Sequence, residues 1–295
     1  MKTKRIHFPI VACKHVSGKI PVPEYLPKLH GLQAWIGRRS SGKTTACVSL
    51  LQRYMAIGAI ERVILISPTY ESNRHAFAPL KIKDSDVIEP TTNAIDEVIA
   101  LLDEEMNEWL DYHRRKKEYA HFRKEMHRNT FTDANLMMWD QMGFLDAMTE
   151  PKWKNADDSR PSRIYVLMDD IMGTNMLKMG KGQEKFVNLC IKHRHMLCHN
   201  GTAYGISIGC LLQSYSSHAT LPRSIRENLT LLCLFLNSDT NQRKKVKEEL
   251  CDIKNIDQLE EFWDYACARP FGFLCVDMDA KPEHRFRACY DEYLS

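Results

Sequence analysis

Eight residues, Gly37-Arg38-Arg39-Ser40-Ser41-Gly42-Lys43-Thr44, place two glycines, a lysine and a hydroxyl at a spacing that suits holding a polyphosphate. Glycine reaches backbone angles closed to other residues and lets the chain come close to phosphate oxygens. Successive N–H groups leading into a helix then make an anion nest, and the helix dipole adds to it. In this G-x-x-x-x-G-K-[ST] pattern Lys43 reaches the β- and γ-phosphates and the Thr44 hydroxyl ligates Mg²⁺. With Thr45, residues 37–45 form the candidate nucleotide-binding stretch. The plain alternative is a chance match on a turn before a helix.

A nucleotide site also needs a carboxylate near the metal and a group that activates water. The run Arg-Ile-Tyr-Val-Leu-Met over residues 163–168 ends in Asp169-Asp170. Open α/β sheets put their ligands at such strand ends. Asp169 is expected to hold Mg²⁺, directly or through water, and Asp170 to polarise the attacking water. A second apolar run ends at Gln213, whose amide is placed to bond the γ-phosphate or the lytic water. Downstream, Leu221-Pro222-Arg223-Ser224-Ile225-Arg226-Glu227-Asn228 puts two arginines near the same sheet edge. An arginine aimed at a neighbour's γ-phosphate is worth roughly 10³ to 10⁵ in rate; Arg226 is the first choice for that role, ahead of Arg223 and Arg194. No Asn-Lys-x-Asp guanine-reading motif occurs, which favours ATP over GTP.

The elements that must position these groups follow from apolar spacing. Leu32 to Ile36 reads as a short strand running into Gly37, and a helix begins near Gly42, continues through Ala46, Leu50, Leu51 and Tyr54, and ends at Gly58. Residues 62–67, 163–168, 204–212 and 229–236 read as buried strands. Ile95, Ile99, Leu102, Met106 and Trp109 keep helical spacing, extended by Tyr112, Tyr119 and Met126. Further helices are expected over residues 183–199, 240–251 and 256–268, and a last strand over 271–276 with 286–289 as its edge partner. Residues 129–160 are mixed, and 155–161 form a polar loop. Alternating strands and helices predict an α/β fold with a mostly parallel, twisted sheet flanked by helices. Pro9, Pro21, Pro23 and Pro27 keep residues 1–30 irregular, an arm or packed lead-in. The rest, 31–295, reads as one domain with a helical insertion at about 91–160.

In 295 residues, apolar types make up 44% and charged types 27%, enough to fill a core, which excludes a disordered chain. The longest apolar run, Leu231 to Leu236, is far short of the roughly 20 residues a spanning helix needs. Ile10 to Cys13 is too short for a secretory signal. The 10 cysteines, scattered and mostly in apolar runs, read as reduced thiols of a cytosolic compartment. The net charge of +3 excludes nothing by itself, but residues 113–128 hold seven Lys/Arg, three His and two Glu. Such a helix suits a salt-dependent, sequence-independent grip on nucleic-acid phosphates; it also suits a solvated face with Tyr119, Phe122 and Met126 packed inward. Cys190, His193, His195, Cys198 and His199 have side chains that suit zinc, but helical spacing sets His193 and His195 on opposite sides, so packed thiols are the better reading.

The order Gly-Arg-Arg-Ser-Ser-Gly-Lys-Thr, Ile-Leu-Ile-Ser-Pro-Thr, Tyr-Val-Leu-Met-Asp-Asp, Lys-His-Arg-His-Met, a strand ending in Gln213, then Leu-Pro-Arg-Ser-Ile-Arg-Glu-Asn resembles the genome-packaging ATPases of large double-stranded DNA viruses and their virophage and polinton-like relatives, within the FtsK–HerA pumping ATPases. The likeness covers about residues 30 to 240. It implies a phosphate-loop NTPase fold with an extra strand between the phosphate-loop strand and the acidic strand. It implies a homo-oligomeric ring that hydrolyses ATP with Mg²⁺ and threads double-stranded DNA into a capsid, with capsid proteins as partners and no membrane. The place of work would be the host-cell cytoplasm, a viral factory or the virion. The family's lysine and threonine fall on Lys43 and Thr44, its acidic pair on Asp169 and Asp170, its polar sensor on Gln213. Many of these pumps carry Glu where this chain has Asp170. The competing readings are a phosphate-loop nucleotide or nucleoside kinase and a nucleotide-gated capsid scaffold.

Overall fold

A computed structural model describes residues 20, 22–147, 149–178, 180–216, 221–236 and 239–295. Most of the arm expected over 1–30 lies outside them. In chain order the elements are β1 (Leu32–Ile36), α1 (Lys43–Ala56), β2 (Arg62–Ile66), α2 (Tyr70–Phe77), β3 (Val87–Ile88), α3 (Ala94–Arg128), α4 (Asp133–Gln141), α5 (Phe144–Ala147), β4 (Ile164–Asp169), α6 (Lys181–Lys192), β5 (Cys198–His199), β6 (Thr202–Ala203), β7 (Ser207–Leu212), α7 (Arg223–Arg226), β8 (Leu231–Phe235), α8 (Thr240–Leu250), α9 (Ile256–Cys267), β9 (Phe273–Asp277), β10 (Phe286–Ala288) and β11 (Glu292–Leu294).

Nine of the strands form one sheet in the order β11-β10-β9-β8-β1-β7-β4-β2-β3. From β8 to β3 every pairing is parallel; β9, β10 and β11 add on antiparallel. Strand β7 lies between β1 and β4, the extra strand that the family resemblance implied. Alternate residues of each strand feed two cores, as the pleat requires. Leu32, Ala34 and Ile36 pack with Val166, Met168 and Ile208 under α3, α6, α8 and α9. Trp35 packs with Tyr165, Leu167, Leu211 and Cys233 on the other face, under α1 and α2. Both faces are covered, which is why these strands are apolar throughout rather than alternating.

Some expected boundaries move. The helix expected over 183–199 stops at Lys192, where His193 turns its Nδ1 onto the Cys190 carbonyl (2.6 Å) and the chain enters a small hairpin, β5–β6. Its two-residue turn is Asn200-Gly201, both at positive φ (48° and 76°), a pairing with a strong hairpin preference. At the other end of the sheet β10 is not the edge, because β11 pairs outside it. Among the described residues nine cysteines are unpaired and five of them are buried, as thiols of an apolar core.

Helix α3 has two halves. Its first turns follow β3, and Asp96 pairs with Lys185 near the start of α6. Ile95, Val98, Leu102 and Met106 then cover the sheet. Glu105, fully buried, accepts bonds from Arg62 at the start of β2, from Lys154, and from the Ser162 N–H just ahead of β4. Burial alone would raise its pKa, but the bonds from Lys154 and Ser162 outweigh it and hold the carboxyl below its ordinary range. These contacts place Glu105 at the N-terminal edge of the strands. From Tyr112, whose hydroxyl bonds Asp158 ahead of β4, the roughly 16 residues to Arg128 project beyond the sheet's core, ~24 Å at 1.5 Å per residue. Helices α4 and α5 pack back on this projection through a separate small core of Tyr119, Phe122, Trp139 and Phe144.

Candidate functional site

Strands β1, β4 and β7 end side by side at the C-terminal edge of the sheet, and the residues that follow them meet there. The loop after β1 starts with Gly37, whose N–H bonds the Leu212 carbonyl of β7 (3.1 Å). A Cβ on Gly37 would stand 2.6 Å from the Phe235 Cβ, so close approach is what requires glycine at the first motif position. Gly42 answers a different need. Its φ is +96°, turning the chain into α1. No side chain caps α1, as none caps α2, α3 or α6, and unlike those three its first turn holds no acid. The leading N–H groups of α1 and its positive dipole end therefore face the loop.

Lys43 folds back over this loop, its Nζ donating to the carbonyls of Gly37 (2.7 Å) and Arg38 (2.8 Å). Partial burial lowers its pKa, against the pull of Asp169 and Asp170. The Ser41 hydroxyl is buried and, among the described residues, has no partner, a donor left over inside the loop. The structure thus bends residues 37–44 into a cradle opening on a helix N-terminus. The fold is that of a phosphate-loop NTPase.

Asp169 is the last residue of β4, 8% exposed. Burial, with the neighbouring Asp170 charge, pushes its pKa up to about 6, against the pull of Lys43. Asp170 sits at φ +51°, a left-handed conformation that turns its side chain away from the line of β4. Its Oδ1 accepts from Gln213 Nε2 at 2.9 Å. The extra strand is what makes this contact: β7 runs beside β4 and delivers Gln213 one residue beyond its end. Lys43, Asp169, Asp170 and Gln213, expected together from sequence, are together.

Arg226 is the exception. Its side chain is 6% exposed and grips Glu249 of α8 with two bonds (2.7 and 3.0 Å), while donating to the Leu221 carbonyl and lying over the Tyr215 ring. A guanidinium held in this way ties α7 and the segment after Gln213 to α8 within one subunit. To reach a neighbour's nucleotide it would have to leave Glu249 without its partner. Arg223, 78% exposed and bonded to Glu227, and the exposed Arg194 are free of that constraint. Nor do the histidines and cysteines of 190–199 converge: no group of three metal-ligating side chains occurs among the described residues.

Apolar spacing does not reveal one wall of the site. A cleft of about 560 Å³ runs from residues 40–46 past Ser49 to Phe271, Phe273 and Tyr290. The spacing puts Phe271 at the opening of a strand, but β9 begins at Phe273, and Phe271 occupies a turn at φ +61° with 70% of its surface exposed. The Pro270-Phe271-Gly272 sequence carries the signal for that turn.

No known protein family and no curated protein sequence matches this chain. Solved structures superpose on it loosely. The pCW3 conjugation coupling protein TcpA with ATPγS aligns over 90% of this chain at 13% identity and a TM-score of 0.43, and the chain spans 61% of that protein's length. The genome packaging NTPase from Sulfolobus turreted icosahedral virus 2 in complex with AMP aligns over 84% of this chain and 93% of its own, at 9% identity and a TM-score of 0.43. The cytoplasmic domain of EssC aligns over 73% of this chain and 35% of its own, at 15% identity and a TM-score of 0.39. Likenesses this loose assign neither activity nor partner.

Proposed function

We propose that this chain is an ATPase motor that moves double-stranded DNA, and that its cargo is a viral genome driven into a capsid. The observation that carries the ATPase reading is the Asp170–Gln213 bond beside the Lys43 loop. It sets a carboxylate and an amide beside the loop that would hold the nucleotide's phosphates, which supports their acting on the terminal one. Backbone N–H groups of residues 40–45 hold the phosphates, and Lys43 exchanges its carbonyl partners for phosphate oxygens. Asp170, oriented by Gln213, accepts the proton of the attacking water. Thr44 and Asp169 would hold Mg²⁺; hydroxyl and carboxylate oxygens are the hard donors that ion takes. When bound, the ion neutralises charge on the phosphates.

The DNA reading rests on the resemblance to the FtsK–HerA pumps and on the outer face of α3. Arg114, Lys117, Lys124 and Arg128 are exposed and recur at steps of three, seven and four, one stripe along the projecting half. Among the described residues Lys117, Arg123, Lys124 and Arg128 have no ion-pair partner in the subunit, while Arg114 pairs with Asp111. A ring of subunits would present several such stripes to a duplex, and an arginine exposed as Arg223 and Arg194 are would link neighbouring sites.

The test is the ATPase rate against protein concentration, with and without double-stranded DNA, for the wild-type chain and Lys43→Ala. Turnover is expected to rise with DNA, to fall with added salt, and to drop by about 10²–10³ in the variant while the fold persists. Normal turnover in Lys43→Ala sinks the site. Activity indifferent to DNA sinks the motor; phosphoryl transfer to a nucleoside would then identify a kinase, and tight binding without turnover a scaffold.

A further inference from the structure

Phe271 combines two features that a packing residue avoids. It lies 70% exposed, and it occupies a backbone conformation that a bulky side chain disfavours, φ +61°. The turn around it is closed by the Gly272 N–H on the Arg269 carbonyl (3.0 Å), with Pro270 and Phe271 at the two central positions. With proline first and positive φ second, such a turn ordinarily takes glycine or asparagine at the place Phe271 fills. One side of Phe271 rests on the phosphate loop: a Cβ built on Gly42 would stand 3.3 Å from the Phe271 Cβ. Its other side is open to the cleft that begins at the loop.

The rest of that wall is aromatic and fixed. Phe273 and Tyr290 meet edge to face at 4.9 Å, and Phe273 also packs on Phe235 at 4.8 Å. The Tyr290 hydroxyl accepts from the Trp35 indole (2.8 Å) and donates to the Ala46 carbonyl of α1 (3.1 Å). The wall is thereby tied both to the phosphate-loop strand and to the helix whose N-terminus faces the loop. It stands on the β8–β9 side of β1, away from Asp169, Asp170 and Gln213. Phosphates seated in the loop would have the catalytic acids on one side and this aromatic surface on the other.

We propose that Phe271 is the platform on which the base of a bound nucleotide stacks, so that the site selects a nucleoside triphosphate over an inorganic polyphosphate. This rests on residues 37–44 binding phosphate, as proposed above. Strain retained at an exposed aromatic has a use when a planar ligand covers the ring, and a stacked base asks only for a π-face.

The experiment measures dissociation constants for ATP and for inorganic tripolyphosphate, with Mg²⁺, on the full chain and on Phe271→Ala, Phe271→Gly and Phe271→Trp, together with unfolding midpoints. Loss of a stacked base is expected to weaken ATP about tenfold in the Ala and Gly variants. Tripolyphosphate binding stays unchanged, and Trp retains the wild-type ATP affinity. Phe271→Gly is expected to unfold no more easily than wild type, since glycine accepts the turn's φ without strain, so its loss of ATP affinity cannot come from a damaged fold. ATP affinity unchanged in the Ala and Gly variants overturns the platform while leaving the nucleotide site in place. ATP and tripolyphosphate weakening in parallel also overturns it, since Phe271 would then be shaping the loop. A wild-type chain that binds neither compound sinks the phosphate-binding reading itself.

Discussion

The two ends of this molecule are built on opposite plans. At the C-terminal edge of the sheet, four segments distant in sequence converge: residues 37–44, 169–170, 213 and 271–290. Ser40, Gly42, Asp170 and Phe271 all hold positive φ there. Each non-glycine position of that kind costs about 1–3 kcal/mol and needs surrounding structure to hold it. At the other end, the projecting part of α3 with α4 and α5 is contiguous in sequence. Thr132 and Asn135 cap α4 reciprocally, and Asn129, at φ +55°, ends α3 in the conformation that helix ends commonly adopt. Positive φ also occurs away from this site, at Lys81 and Leu197 for example, so what sets the site apart is that its strained residues lie on segments that meet from across the chain. The arm, with its private core, needs only to stand up and present a charged face.

Substituting the centre of the arm's core should have the largest effect and should stay local. Trp139 is fully buried among Phe122, Phe131 and His121, and Trp139→Ala is expected to cost about 3–5 kcal/mol. Hydrogen exchange should show lost protection over residues 119–147 with ATP affinity intact. If nucleotide binding collapsed with the arm, the two ends would not be independent.

A somewhat smaller effect should mark the other end, and it depends on pH. The folded chain holds the Asp169 proton up to about pH 6, against an ordinary carboxyl value of 3.8. A raised folded pKa means that this group favours the fold fully below pH 3.8 and loses that contribution as pH rises through 6. In metal-free buffer, the stability advantage of Asp169→Asn over wild type should therefore grow by about 2 kcal/mol between pH 4 and pH 7. Urea unfolding of both proteins across that range checks it. Curves that stay parallel would mean that Asp169 ionises freely and that the strand end is not a low-dielectric site. Taking the difference removes the opposing contribution of buried His30, whose pKa is lowered to about 4 by burial and the nearby His193, Arg163 and Arg194.

The smallest effect per residue belongs to the basic stripe. Replacing Lys117, Lys124 and Arg128 with glutamine should leave ATP turnover without DNA unchanged. It should lower the slope of log DNA affinity against log salt by about 0.9 for each phosphate that is no longer neutralised. Binding titrations at several salt concentrations measure it. An unchanged slope would make the arm a solvated face and move the DNA grip elsewhere.

Much of the machinery is legible in the chain because it obeys local rules. The 37–44 loop is specified by residues that must be glycine, one for closeness and one for φ, and by the helix that follows it. Asp169, Asp170 and Gln213 are marked by the ends of strands so apolar that they had to be buried on both faces. The α3 helix declares itself by periodicity through 35 residues. What local pattern does not reveal is partnership. Arg226 has the type and position of a reaching arginine, but the placement of Glu249 on α8 claims it, and Glu249 lies 23 residues away. Phe271 reads as one more apolar residue entering a strand until the fold sets it against Gly42, 229 residues earlier in the chain. The Asn200-Gly201 hairpin is written in two residues and lost among helix-compatible neighbours. Local sequence thus settles which groups can bind phosphate and where strands and helices must lie, since those follow from backbone sterics and apolar spacing. Which charges are neutralised at home, and which side chains stay exposed at the site, is settled only in the assembled fold, because both depend on segments that meet in space and that no local spacing encodes.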